Sequence, residues 1–160
     1  MKYTLLLFLP VLFFSCGKSY LYEENIKFQN EEWIYQDSVS FQFDIADTSK
    51  LYNILLALEH SPEFSTQNLY TRIATEFPDG NRPSQVVSLE LADQTGFWYG
   101  ECNSTSCLFE APIQSNAYFN QIGIYTITIA QHMRRDSVPG IQALSLKLED
   151  TGATRKDLDF

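Results

Sequence analysis

Residues 38–45 alternate without a break: Val39, Phe41, Phe43 and Ile45 are apolar, while Ser38, Ser40, Gln42 and Asp44 are polar. Successive side chains of an extended chain point to opposite faces, so this order specifies a strand with one face in a core and one in water. Residues 51–58 are apolar on both faces and read as a central strand covered on both sides. Further strands are predicted over 69–77, 85–91, 123–131 and 141–149, with a short aromatic one over 96–101 and another over 23–28. Pro78-Asp79-Gly80-Asn81 supplies turn chemistry, because proline fixes φ and Gly or Asn accepts a positive φ. No long amphipathic helix and no internal repeat are visible. About seven or eight short strands separated by Gly/Pro turns predict an all-β chain, a single-domain β-sandwich over residues 23–150.

The start of the chain reads differently. Met1-Lys2 precede an apolar run over residues 3–14, then Ser15 and Cys16. A membrane span needs roughly 20 apolar residues, and this run is shorter and interrupted by Pro10. Its length suits a cleaved export signal, and Ser15-Cys16 suits the lipoprotein kind, in which the cysteine takes the lipid. Phe13 and Phe14 are loose matches to that pattern, so an ordinary secretory signal and an uncleaved anchor stand as rivals. The lipoprotein reading makes residues 1–15 a discarded signal, Cys16 the lipid attachment site and residues 16–22 a tether, with residues 151–160 as a flexible tail. The only prosthetic group expected is that covalent lipid. Two or three acyl chains would hold the protein nearly permanently, where one chain binds marginally.

Cleavage removes Lys2 from the 11 basic residues and leaves the 20 acidic ones, so the mature chain is more acidic than the full chain's −9. A dispersed negative balance argues against nucleic acid, which needs clustered Lys and Arg, and against docking on anionic lipid. Cys102 and Cys107 remain beside Cys16. In an exported chain they form a candidate disulfide; two free thiols or half of a metal site are the alternatives. His60 and His132 occupy no metal-ligand spacing and read as solvated strand-end residues. The sequence holds no nucleophile elbow, P-loop or dinucleotide fingerprint, and its carboxylate pairs read as charged surface, so no catalytic residue and no metal site is predicted.

Two features stand out as candidate binding surfaces. The chain carries 12 Phe, 9 Tyr and 2 Trp. Trp33, Trp98 and Tyr99 fall near predicted strand ends, where exposed rings could form a platform for a glycan; core packing is the plainer use for each Trp. The second feature joins the last two strands. Gln131, Arg134 and Arg135 lie in the densest basic spot of an acidic chain, where arginines could meet a partner's carboxylate or phosphate. The plainer reading is a charged turn in which Asp136 pairs with an arginine.

Several segments, in order, resemble the gliding-motility lipoprotein H family (GldH) of the Bacteroidetes. They are Cys16, Leu51-Tyr52-Asn53-Ile54, Asn68-Leu69-Tyr70, Phe77-Pro78-Asp79-Gly80 and Gly96-Phe97-Trp98-Tyr99-Gly100. Gly123-Ile124-Tyr125, Gln131-His132-Met133-Arg134 and Val138-Pro139-Gly140-Ile141 follow. The resemblance implies a non-enzymatic membrane lipoprotein that supports gliding motility and the type IX secretion apparatus, with other envelope proteins as partners. Gly17 after the cysteine favours the outer membrane, and the absence of acidic residues immediately after it favours the periplasmic face. A lipid-tethered carbohydrate-binding module is the alternative function.

Overall fold

The computed structural model describes residues 19–158. The signal-peptide reading and Cys16 therefore lie outside the described residues. Eleven strands run in order among them: β1 Tyr20–Lys27, β2 Glu32–Ile34, β3 Val39–Ile45, β4 Lys50–His60, β5 Asn68–Glu76, β6 Ser84–Glu90, β7 Glu101–Cys102, β8 Cys107–Ala117, β9 Gly123–Gln131, β10 Ser137–Pro139 and β11 Ile141–Thr154. The only helical pieces described are two 3-10 turns, Gln29–Glu31 and Arg155–Asp157. No helix among the described residues is long and apolar enough to cross a membrane.

The strands form two main antiparallel sheets. The first has the order β1-β11-β4-β8-β7 and the second β3-β9-β5-β6; β10 and β2 make a small ribbon of their own. The alternating faces meet as the sequence requires. Leu56, Leu58, Leu144, Leu146 and Leu148 from the first sheet share one core with Phe41, Phe43, Leu69, Ile73, Tyr125, Ile127 and Ile129 from the second. The fold is a β-sandwich.

β4 is the central strand of the first sheet, and its outward residues Leu55 and Ala57 are buried as well as its inward ones. Leu55 lies in register between Lys147 of β11 and Pro112 of β8. Lys147 bonds Glu110 at 2.7 Å and faces Glu23 at 3.6 Å, so long charged side chains roof the apolar strip.

Several elements differ from the sequence expectation. β1 starts at Tyr20, so part of the expected tether is already paired, Tyr20 with Glu149 and Tyr22 with Leu148. β11 runs on to Thr154 through an irregularity at Gly152, whose φ is +72°, in place of a flexible tail from Thr151. The Thr151 hydroxyl donates to the Leu51 carbonyl and the Lys50 amine to Asp150, which ties this end to β4. Residues 96–100 are not a strand, and β7 begins only at Glu101. Asp93 Oδ1 accepts from the Thr95 and Phe97 amides and the Thr95 hydroxyl, coiling the chain into a turn, and Ala92 and Trp98 share a single bridge. Gly100 passes so close to β8 that a Cβ there would sit 2.4 Å from the Leu108 carbonyl oxygen. β8, an eleven-residue strand, had no expectation at all.

The connections sort to two ends. Tyr20, Lys50, Gly123 and Thr154 lie at the end from which β1 enters. His60, Asn68, Gln131 and Ile141 lie at the other, and the loops over 28–38, 61–67, 91–100 and 132–140 gather there. At about 3.3 Å per strand residue, the eleven residues of β4 separate these ends by roughly 33 Å.

Trp33 is 0% exposed, stacks on Phe28 at 4.9 Å between centroids and donates its indole N–H to the Asp37 carbonyl. Trp33→Ala should therefore cost about 3–5 kcal/mol. Urea unfolding followed by circular dichroism checks this; a loss below 1 kcal/mol would mean that Trp33 does not fill the core at this end.

Candidate functional site: an arginine turn at the distal end

The turn over residues 131–136 is built by a buried amide. Gln131 ends β9 and is 1% exposed. Its Nε2 donates to the Arg135 carbonyl at 2.8 Å, and its Oε1 accepts from the Met133 amide at 2.8 Å. Both ends of the side chain are thus used to close the loop around it. Gln131, expected as an exposed contact residue, instead lies buried and supports the turn from beneath. The closure puts Arg134 at φ +56°, a left-handed value uncommon for a residue with a side chain. The His132 amide donates to the Tyr70 carbonyl and the Tyr70 amide to Met133 Sδ, which lays the turn over the outer face of the second sheet. On the other side the Tyr35 amide donates to the Asp136 carbonyl, and the β2–β10 ribbon pairs Trp33 with Val138.

Arg134 and Arg135 are exposed and border two adjoining grooves. One, of about 560 Å³, is lined by Tyr70, Val86, His132, Met133 and both arginines. The other, of about 190 Å³, lies between Tyr35, His132, the two arginines and Asp136. Asp136 forms no ion pair with either arginine, so the charged-turn reading is not what the structure contains. A groove of about 440 Å³ between β1, β2 and β3 carries Lys27, Glu32 and Asp37, charges of both signs, and offers no single-sign feature.

The aromatic platform does not assemble. Trp33 is core. Trp98 is half-buried, with its ring 4.6 Å from that of His60 and its indole N–H donating to the Pro62 carbonyl. Its role is to pin the turn over residues 93–99, which leaves Phe97 and Tyr99 outside at 74% and 59% exposure. His60 is likewise not solvated. It is fully buried against Phe64 and Trp98, its Nδ1 bonds the Ser61 carbonyl, and its Nε2 has no partner. Cys102 and Cys107 are cross-strand partners in the β7–β8 hairpin and form a disulfide, with Cα atoms 3.9 Å apart. Among the described residues no three His, Cys, Asp or Glu side chains converge as metal ligands would.

Gln131, Arg134, Arg135, Trp98, Tyr99, Cys102 and Cys107 thus share the end of the sandwich opposite Tyr20. Only the two arginines form a grooved surface with their surroundings. Sequence reasoning missed Tyr70, Val86 and Met133, which belong to that surface. The Gly-x-Tyr strand followed by Gln-x-Met was its signal, since it places a methionine just where the chain turns back over β5.

Comparison with known proteins gives consistent matches. The sequence model of the family described as GldH lipoprotein matches residues 20–148. A protein of Christiangramia forsetii named gliding motility lipoprotein GldH homolog is 27% identical over 143 residues, covering 86% of this chain and 85% of that protein. The gliding motility lipoprotein GldH of Flavobacterium johnsoniae is 26% identical over 141 residues, covering 88% and 87%.

Two outcomes test this geometry. Gln131→Leu strands a buried N–H and a buried C=O, so it should cost about 1–3 kcal/mol and speed amide exchange over residues 132–136 in particular; unchanged exchange there would refute its supporting role. Burial pushes the His60 imidazole below its ordinary value, opposed by the Ser61 carbonyl. The unfolded chain takes up that proton near pH 6.5 and the folded chain does so only at lower pH. Its contribution to stability is therefore complete above about pH 7 and is lost as pH falls below about 6.5. Urea midpoints from pH 7.5 to 5 should decline in the wild type and decline less in His60→Phe; equal slopes would contradict the buried neutral imidazole.

Proposed function

This chain belongs to the GldH lipoprotein family, and from that premise we propose that it is a non-enzymatic, lipid-anchored gliding-motility lipoprotein. It is held by Cys16 at the periplasmic face of the outer membrane and supports the type IX secretion machinery. The observation that carries this reading is the reach of the family match, which runs over residues 20–148 and so takes in almost every strand of the sandwich.

The residue order at the start of the chain supports the anchor: a basic start, a short apolar run, a small residue and Cys16. Cys16 precedes Ser19, the first described residue, by three positions. A lipid there would keep the Tyr20 end of the sandwich at the bilayer and hold the arginine turn roughly 30 Å away. A non-catalytic role fits a site made of a grooved guanidinium surface. The carbohydrate-binding alternative would have to rest mainly on Phe97 and Tyr99, since Trp33 is buried and Trp98 is half-buried against His60.

Deletion should abolish colony spreading, and where the organism does not glide, the export of type IX cargo. Cys16→Ser should shift the protein from the membrane to the soluble fraction and reproduce the deletion. Spreading assays, secretome analysis and fractionation read these outcomes. Gliding and export both unchanged in the deletion strain would sink the proposal, and membrane retention of the Cys16→Ser protein would sink the anchor.

A further inference from the structure

We propose that the outer face of the second sheet at its distal end, formed by Tyr70, Arg72, Val86, Met133, Arg134 and Arg135, docks an acidic extended segment of a partner protein. This deepens the envelope-assembly reading and rests on it.

Charge sets this face apart. The chain carries 20 acidic against 11 basic residues. Against that background three guanidiniums stand on one face without an ion pair among the described residues. Arg72 sits in register with Val86 on one side and Ala130 on the other, so its side chain rises from the same face as theirs. Arg134 and Arg135 overhang that face from the turn. Arg134 and Arg135 border a groove with Tyr70 and Val86, Asp136 bonds neither of them, and Arg72 stands on the neighbouring strand position beside Val86.

The turn is also preorganised. The turn is fixed from below by both ends of Gln131, from β5 by the Tyr70 bonds and, from the residue just after β2, by Tyr35. A surface loop with no task does not need a buried glutamine and a left-handed arginine to hold its shape. Positioning the guanidiniums beforehand lowers the ordering cost of binding.

The adjoining sheet edge is open. β6 ends the second sheet and pairs on one side only, with β5. Its sequence, Ser84 to Glu90, holds no proline or lysine to blunt pairing, and Val86 is half-exposed at its middle. An extended segment can lie along this edge, set apolar side chains on Tyr70, Val86 and Met133, and bring its carboxylates to the arginines. Main-chain pairing then supplies affinity and the guanidiniums supply the choice of sequence. Anionic lipid of the anchoring bilayer is a poor occupant, because this face lies toward the end away from Tyr20.

The test uses the full lipidated protein in neutral detergent micelles. It is titrated with a blocked peptide of about ten residues alternating Val and Glu, and with the counterpart alternating Val and Lys. The Glu peptide should bind at least roughly tenfold tighter, weaken as salt rises from about 0.05 to 0.5 M, and protect amides of β6 and of residues 132–136 from exchange. The double variant Arg134→Glu/Arg135→Glu should reverse the preference toward the Lys peptide, a gain that a misfolded variant could not show. Equal binding of the two peptides, no binding, protection elsewhere, or an unreversed preference would each overturn the proposal. Self-association, or binding to phosphatidylglycerol vesicles, that takes the place of peptide binding and is abolished by the same variant would overturn it too, in favour of a second copy or of lipid. Such a failure leaves the deletion phenotype untouched, so it is distinguishable from failure of the gliding role.

Discussion

Everything in this molecule hangs on the burial of two alternating faces against each other. Phe41, Phe43, Ile127 and Ile129 from one sheet and Leu56, Leu58, Leu144 and Leu146 from the other share a single core. At about 1.5–3 kcal/mol for each large side chain taken out of water, this contact dominates what holds the chain together. β4 is the keystone because it is buried on its outer face as well. A one-residue slip in its pairing with β11 would turn Leu56 and Leu58 to the wrong face, and the long apolar match makes that slip costly.

Once the sheets are fixed in register, the two ends of the sandwich acquire different chemistry. At the end where β1 enters, the chain is closed by ordinary surface devices: the Lys50–Asp150 ion pair, the Thr151 bond to β4 and Arg155 over the Tyr118 ring. At the opposite end three polar or aromatic anchors, the buried Gln131 and Trp33 and the half-buried Trp98, each hold a loop. That division matters for the proposed anchor at Cys16, which would fix the protein in place by one end. The anchored loops are those that face away from the start of the chain, and the unpaired arginines are among them.

Much of the sandwich was legible because period-two alternation is a direct consequence of strand geometry. Residues 38–45 and 123–131 could be read that way, and 51–58 could be read as central because neither face was polar. β8 was not legible, for physical reasons. Cys107, Phe109, Ala111 and Ile113 do alternate toward the core, but Pro112, beside a register shift in the pairing with β4, and the polar stretch that follows from Gln114 to Asn116 argue locally against a strand. The strand expected over 96–101 failed because its aromatic content looked β-favouring, while Asp93 and two glycines impose a turn. Gln131 and His60 misled in the same way: a polar residue at a strand end looks solvated, and only tertiary packing shows that each is buried. The arginine pair was visible as a basic spot, but its floor of Tyr70 and Val86 comes from strands far away in sequence.

The proposed Cys16 anchor would place the Tyr20 end of the sandwich at the bilayer and the arginine turn away from it. Energy transfer from a fluorophore placed at Arg135, or at Ile124 near the other end, to acceptor lipids in a nanodisc holding the lipidated protein measures this directly. The account predicts that the label at position 135 lies roughly 25 Å farther from the membrane plane than the label at 124, the length of the strand between them. Equal distances, or the reverse order, would contradict it.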